Sequence, residues 1–305
     1  MERSHRPARE GFASIHENCM HACGHDAHTA MGIGAAERIW ARRQELKGTV
    51  RLIFQSAEEG LRGAASMEAA GAVEGVHRLF GIHVGIHPEE TGTVAVSTRD
   101  FLSSTKFDAI FHGVPAHAGI CPEKGRNALA AAAKAALELL EIPSRFEKVC
   151  RVNVGTLRAG SGRNVVPALA HMAVETRGET AEINAQAEAM ALTACRAAAE
   201  HYGCTLETRH MGGAGGAVCD RDLAERAAEI VKKVPGVSAV LQDVPFGAGE
   251  DVTTLMTAVQ AQGGEATELL LCMPLPFPHH NGRFEIDETL LELGAEILTR
   301  LALEI

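Results

Sequence analysis

A chain of 305 residues is long enough for two domains of roughly 100–200 residues each, with a sizeable buried core. Its 46% hydrophobic and 22% charged residues are those of an ordinary globular protein, which excludes disordered and fibrous architectures. Twenty-nine basic residues against thirty-nine acidic ones leave a net charge of −10, which argues against nucleic acid or an anionic membrane as the main partner.

Up to about Cys19 the sequence is polar and reads as an irregular lead-in. His28 to Arg42 carries apolar residues at helical spacing, and after Lys47-Gly48 the run Thr49 to Gln55 (TVRLIFQ) predicts a buried strand. Ala64 to Ala70 is expected to be helical, Arg78 to Val84 (RLFGIHV) a second strand, and Thr93 to Val96 a third. This alternation favours parallel pairing in an α/β sheet. The middle differs. Strand-like Thr105 to His112, helical Asn127 to Leu140, strand-like Arg151 to Leu157 and His171 to Thr176, helical Glu182 to His201 and strand-like Cys204 to Met211 give a β-α-β-β-α-β order. Gly212 to Gly216 then reads as a hinge. Helices at Leu223 to Val231 and near Val252 to Gln262, a Gly-containing loop at Phe246 to Glu250, a strand at Leu269 to Met273 and a helix from about Thr289 complete the chain. The expected architecture is α/β with two domains: a discontinuous α/β domain over 1–100 and 213–305, and a ferredoxin-like α+β insert over 101–212.

No apolar stretch reaches the roughly 20 residues that a membrane helix needs, and no export signal is evident. Eight scattered cysteines then read as reduced thiols of a cytoplasmic protein. The fifteen histidines are a surplus that needs a role. The densest cluster is His21-Ala22-Cys23-Gly24-His25-Asp26-Ala27-His28, where thiolate, imidazole and carboxylate, the donors of borderline divalent metals, fall within eight residues. Gly24 permits a sharp turn, so that Cys23 and His25 can aim at one centre. Asp26 either binds directly, orients a histidine, or caps a helix. Glu58-Glu59-Gly60 follows the strand-like VRLIFQSA, His83 ends RLFGIHV, and His279-His280 follow LLLCMPLPF. Each alone also fits a bland turn or a structural histidine. Together they bring four sets of ligand-type residues to the carboxyl ends of strands, where open α/β sheets place their ligand crevices.

The segments MHACGHDAHTA, FQSAEEG, FGIHVG, GSGRNVVPA and PHHNGRFEIDE, in this order, resemble the aminoacylase/carboxypeptidase family of metallopeptidases, most closely its amidohydrolase branch of hippurate and indole-acetyl-amino-acid hydrolases. The resemblance implies a zinc-peptidase-like catalytic domain with two divalent ions, manganese or zinc, held by Cys23, His25, Glu59, His83 and His280, with Glu58 as general base. His280 fits the spacing to Phe284, although His279 stands beside it. The resemblance also makes the insert a lid and dimerisation domain. There His117, in VPAHAG, would reach a partner subunit's site to polarise the scissile carbonyl, and Asn164 and Arg177 would hold polar groups of the substrate. An arginine suits a carboxylate because it donates two parallel hydrogen bonds. The expected substrate is a small N-acyl or N-aroyl amino acid, and the expected assembly a homodimer or heteromer formed through the lid.

The family carries a further strand and helix ahead of its Cys-Gly-His motif, and this sequence resembles it only from the stretch that follows. A second expectation is therefore a partner-dependent or non-catalytic subunit that keeps the fold. A thiol redox protein using Cys19 and Cys23 is the weakest reading, since three residues rather than two separate them. A lesser departure is the lack of a serine before Glu250-Asp251.

Overall fold

The computed structural model describes residues 14–17 and 19–305, so most of the expected irregular lead-in lies outside the described residues. In chain order the elements are α1 (His25–Ala41), α2 (Gly63–Ala69), β1 (Arg78–Pro88), β2 (Thr93–Ala95), β3 (Thr98–Arg99), β4 (Ser103–His112), α3 (Ala128–Glu141), β5 (Cys150–Ala159), β6 (Leu169–Gly178), α4 (Ala181–His201), β7 (Thr205–Ala214), α5 (Arg221–Val231), β8 (Ala239–Leu241), β9 (Val244–Pro245), α6 (Val252–Ala261), β10 (Glu265–Met273) and α7 (Thr289–Glu304).

One sheet has the order β1-β10-β2-β8. β1 runs parallel to β10 and β2 parallel to β8, but β2 is antiparallel to β10, so the sheet is mixed rather than parallel throughout. The cause is length: residues 89–92 alone separate β1 from β2, and a parallel crossover needs about a dozen residues or more. Met31 of α1, Val84 of β1, Leu269 and Leu271 of β10, and Leu290 and Ile297 of α7 form the core on one side of this sheet. β10 is buried along almost its whole length, as expected of a strand covered on both faces.

The second sheet, β5-β6-β4-β7, is antiparallel throughout. With α3 and α4 it has the β-α-β-β-α-β order read from the spacing. α3 buries Ala128, Ala131, Ala132, Ala135 and Leu139, one face at helical period. Asn127 and Thr180 cap α3 and α4 by accepting the N–H of Ala130 and Ile183. Asn184 of α4 donates to Thr105 of β4 at 2.9 Å and accepts from Thr176 of β6 at 2.8 Å, which fixes the buried polar groups of that core.

Two further expectations are corrected. Residues 49–55 form no strand: among the described residues their main chain pairs with no other segment, and Leu52 and Phe54 are exposed. A β-rich composition fits a pleated surface only where a neighbouring strand supplies the ladder. The expected glycine hinge is largely strand, since Gly212, Gly213 and Ala214 finish β7. The Gly213 N–H donates to the Leu61 carbonyl at 2.9 Å, and a Cβ on Gly212 would lie 2.3 Å from the Gly60 carbonyl oxygen. These glycines are therefore sites of close backbone approach, and they press β7 onto the Glu58–Leu61 turn.

Candidate metal centre

α1 begins three residues before the predicted start, because Gly24 adopts φ +89° and turns the chain directly into the helix. A Cβ on Gly24 would stand 2.4 Å from Val84 Cγ2. The turn leaves Cys23 buried against the end of β1 and places His25 in the first turn of α1 beside it. Asp26 is exposed in the same turn, where a carboxylate suits the positive end of a helix.

Glu58 and Glu59 occupy a short turn flanked by Ala57 at φ +55° and Leu61 at φ +52°. Side chains rarely adopt this left-handed conformation, and it persists where the surroundings enforce it. Here Lys106 Nζ donates to the Glu59 carbonyl at 2.7 Å and the Ala64 N–H donates to Asp251 at 3.1 Å. Gln55 also bonds Asp251. His83 is buried in β1, and His280, at φ +63°, donates its N–H to the Ala22 carbonyl at 2.7 Å.

These elements bring six side chains together. Cys23, His25 and His83 form one group of possible ligands, and Cys23, Glu59 and His280 another, each with its donor atoms within 4.8 Å of one another. Cys23 belongs to both. His25 Nε2 lies 3.0 Å from Glu58 and 3.3 Å from Glu59, and His280 Nε2 lies 3.4 Å from Glu59. The two rings of the histidine doublet point apart. His279 turns its Nε2 to the Val84 carbonyl at 3.1 Å and stacks on Phe284, while His280 faces the cluster.

The electrostatics suit a cation. Burial pushes the Cys23 thiol up, but hydrogen bonds with His25, His280 and His83 outweigh it and bring the pKa down to about 5. Burial disfavours charged His25, yet its bonds to Cys23, Glu58 and Glu59 raise it to about 12. His25 therefore holds a proton between a thiolate and two carboxylates. That is the place a divalent ion's charge would take, and the mixed sulfur, nitrogen and oxygen donors fit zinc or manganese.

Three residues at the cluster were given no role of their own by the sequence reading. His28 accepts the Val84 N–H at 2.9 Å and lies 3.3 Å from His25 Nδ1, bracing the ligand from behind. Its i+3 spacing from His25 was the available signal. Glu250 is buried, and its carboxyl is pushed well up by burial and by the charges of Glu58, Glu268 and Asp251. Glu268 is buried within the apolar strand β10, where a lone acid in ATELLLCM was the clue. By contrast, the structure does not bring His117, Asn164 or Arg177 to the cluster. His117 and Asn164 are exposed on paired loops beyond β4 and before β6, with the Ala118 N–H on the Asn164 carbonyl at 3.0 Å. Arg177, on β6, pairs with Glu175 at 3.0 Å.

A family model described as "Peptidase family M20/M25/M40" matches residues 4–304. The chain is 44% identical over 300 residues to an indole-3-acetyl-aspartic acid hydrolase of Enterobacter agglomerans, covering 98% of this chain and 69% of that one. It is also 44% identical over 301 residues to one of the subunits of the p-aminobenzoyl-glutamate hydrolase of Escherichia coli (strain K12), with the same coverages. Among solved structures, the Bacillus subtilis YXEP protein, described as a dinuclear metal binding peptidase from the M20 family, matches with a TM-score of 0.68 at 26% identity. That match covers 99% of this chain and 76% of the other. No helix among the described residues is long and apolar enough to cross a membrane.

Proposed function

The chain belongs to peptidase family M20/M25/M40, a family of hydrolases, and on that premise we propose that it is a metal-dependent amidohydrolase cleaving an N-acyl or N-aroyl amino acid. p-Aminobenzoyl-glutamate, yielding p-aminobenzoate and glutamate, is the substrate we put first. The two relatives at 44% identity are named for amides of aspartate and of glutamate, which supports an acidic amino acid in the leaving half. The observation that carries the reading is the position of Cys23, shared by two ligand groups that also use His25, His83, Glu59 and His280. Such an arrangement suits two divalent ions, manganese or zinc.

Ions held there would supply Lewis acidity and bring the pKa of water towards neutrality. Glu58, 3.0 Å from His25, takes the proton of the attacking water and returns it to the departing amine. Residues 1–100 and 213–305 form the catalytic domain, and 101–212 form an inserted lid and dimerisation domain. His117 and Asn164, exposed and outside the cluster, act in this reading on the site of a partner subunit in a homodimer or heteromer. There His117 polarises the scissile carbonyl, while Asn164 and Arg177 hold the polar groups of the amino acid, including its carboxylate. A cytoplasmic location fits the reduced cysteines.

The test joins elemental analysis with turnover: two ions per chain, and glutamate released from p-aminobenzoyl-glutamate with manganese or zinc added. Neither metal nor glutamate release would defeat the reading. Metal without turnover would instead favour a partner-dependent subunit.

A further inference from the structure

The antiparallel sheet β5-β6-β4-β7 has two unlike faces. Phe107 of β4 and Val152 of β5 join the apolar core beneath α3 and α4, and Thr176 of β6 bonds Asn184 of α4. Side chains alternate along a strand, so Lys106, Arg151, Glu175 and Arg177 project from the opposite face. That face looks onto the candidate metal centre, because Lys106 Nζ donates to the Glu59 carbonyl at 2.7 Å. Glu175, in register with Lys106, lies 3.9 Å from its Nζ and 3.0 Å from the Arg177 guanidinium. Short contacts therefore run from the Glu59 turn across β4 to Arg177.

The next strand adds a further charge. Arg151 of β5 stands directly opposite Arg177. It is exposed, and its guanidinium has no ion pair or hydrogen bond among the described residues. Like charges in directly opposed positions repel one another, and Glu175 is already shared by Arg177 and Lys106. An arriving anion relieves that repulsion. Directly opposed residues hold their Cβ atoms about 4.5–5.5 Å apart. The two carboxyl carbons of glutamate are about 5 Å apart when the chain between them is extended at about 1.5 Å per bond. A guanidinium fork matches one carboxylate with two parallel hydrogen bonds, so two forks at this spacing suit a dicarboxylate.

We propose that Arg151 binds the side-chain carboxylate of an acidic amino acid while Arg177 holds its α-carboxylate, so that the pair selects aspartate or glutamate in the leaving half of the amide. The proposal rests on the hydrolase reading for the remainder of the substrate. Glu175 holds the Arg177 fork in place, and unpaired Arg151 supplies the discrimination. A neutral amino acid at the same position leaves Arg151 without its anion and forfeits a charged hydrogen bond.

The test measures binding to the intact chain, then turnover. Titrations followed by nuclear magnetic resonance compare glutarate, which has the carboxyl spacing of glutamate, with butyrate and with inorganic phosphate. Glutarate should bind at least tenfold more tightly than butyrate, on the scale of one charged hydrogen bond. Arg151→Gln should remove that preference, and Arg151→Lys should restore part of it because the charge returns. Arg209→Gln, at an arginine of β7 that pairs with Glu207, controls for net charge and should keep the preference. With metal-loaded protein, Arg151→Gln should lower kcat/KM for p-aminobenzoyl-glutamate relative to p-aminobenzoyl-glutamine at least tenfold, chiefly through KM. Equal affinities for glutarate and butyrate, a preference that survives Arg151→Gln, an equal loss in Arg209→Gln, or tighter binding of phosphate than of glutarate would each overturn the proposal. Turnover indifferent to Arg151 sinks this proposal alone, whereas Arg151-dependent glutarate binding without turnover upholds the subsite and counts against the hydrolase reading alone.

Discussion

Gly24→Ala tests whether the metal centre depends on one backbone turn. Gly24 sits at φ +89°, and the added methyl would stand 2.4 Å from Val84 Cγ2, inside any van der Waals contact. The left-handed conformation costs an L-residue about 1–2 kcal/mol, and forcing a methyl into a packed site typically costs about 1–3 kcal/mol. Since Val84 is fully buried and tied through its N–H to His28, it has little room to yield. The expected loss is therefore about 2–5 kcal/mol, read from urea unfolding of the metal-free protein. The same strain acts on the residue between Cys23 and His25, so metal occupancy should fall along with stability. Gly48→Ala is the control: no atom lies within 4 Å of its added methyl and its φ is not left-handed, so it should be neutral or slightly stabilising. A Gly24→Ala protein within about 0.5 kcal/mol of wild type, the usual range of a harmless substitution, with full metal content, would refute the reasoning.

Further outcomes follow from the charges of the site. With Cys23 near 5 against an ordinary 9.0, the folded metal-free protein gains stability as pH rises from 5 to 9. His25, raised from 6.5 to about 12, loses it from 6.5 upwards. The two slopes oppose between 6.5 and 9, and Glu268 adds a falling slope below 8, so the Cys23 contribution is read as a difference: wild type should gain stability relative to Cys23→Ala as pH rises from 5 to 9, and Cys23→Ala should also lower metal content. A thiolate ultraviolet band that titrates near 9 would contradict this. Glu58→Gln should retain metal while turnover falls by about 10²–10⁴, the contribution of a general base; normal turnover would remove Glu58 from that role. Glu268, pushed by burial from 4.5 to about 8, is neutral when folded and ionised when unfolded across that window, so it destabilises the protein progressively from pH 4.5 to 8. Glu268→Gln should therefore raise the melting temperature relative to wild type more at pH 8 than at pH 5; an equal change at both would show that the carboxyl is not buried uncharged.

The parts of the fold legible in sequence were those whose periodicity serves local packing. The alanines of α3 repeat at helical spacing because that face meets a sheet, and the β-α-β-β-α-β order follows from elements that pair with near neighbours in the chain. The site was legible for a different reason: its six residues sit at segment ends with little else to do, and the composition of MHACGHDAHTA has few structural uses. Illegible were features set by distant partners. TVRLIFQ has the composition of a buried strand, yet a cavity of about 1160 Å³ lies between it and β1, and among the described residues no strand pairs with it. Glycines 212 and 213 looked like a hinge, yet their smallness serves contact with Gly60 and Leu61, some 150 residues earlier. In the doublet His279-His280 the spacing to Phe284 favoured His280, but what separates the two rings was not legible: His280 enters a left-handed turn while His279 bonds Val84. Sequence pattern thus reports what a segment prefers, whereas the direction of a side chain at its end is fixed by whichever distant backbone accepts it. Here the same backbone group of residues, Val84 and its neighbours in β1, sets three such directions: it blocks any side chain at Gly24, anchors His28 behind His25, and turns His279 aside so that His280 faces Cys23.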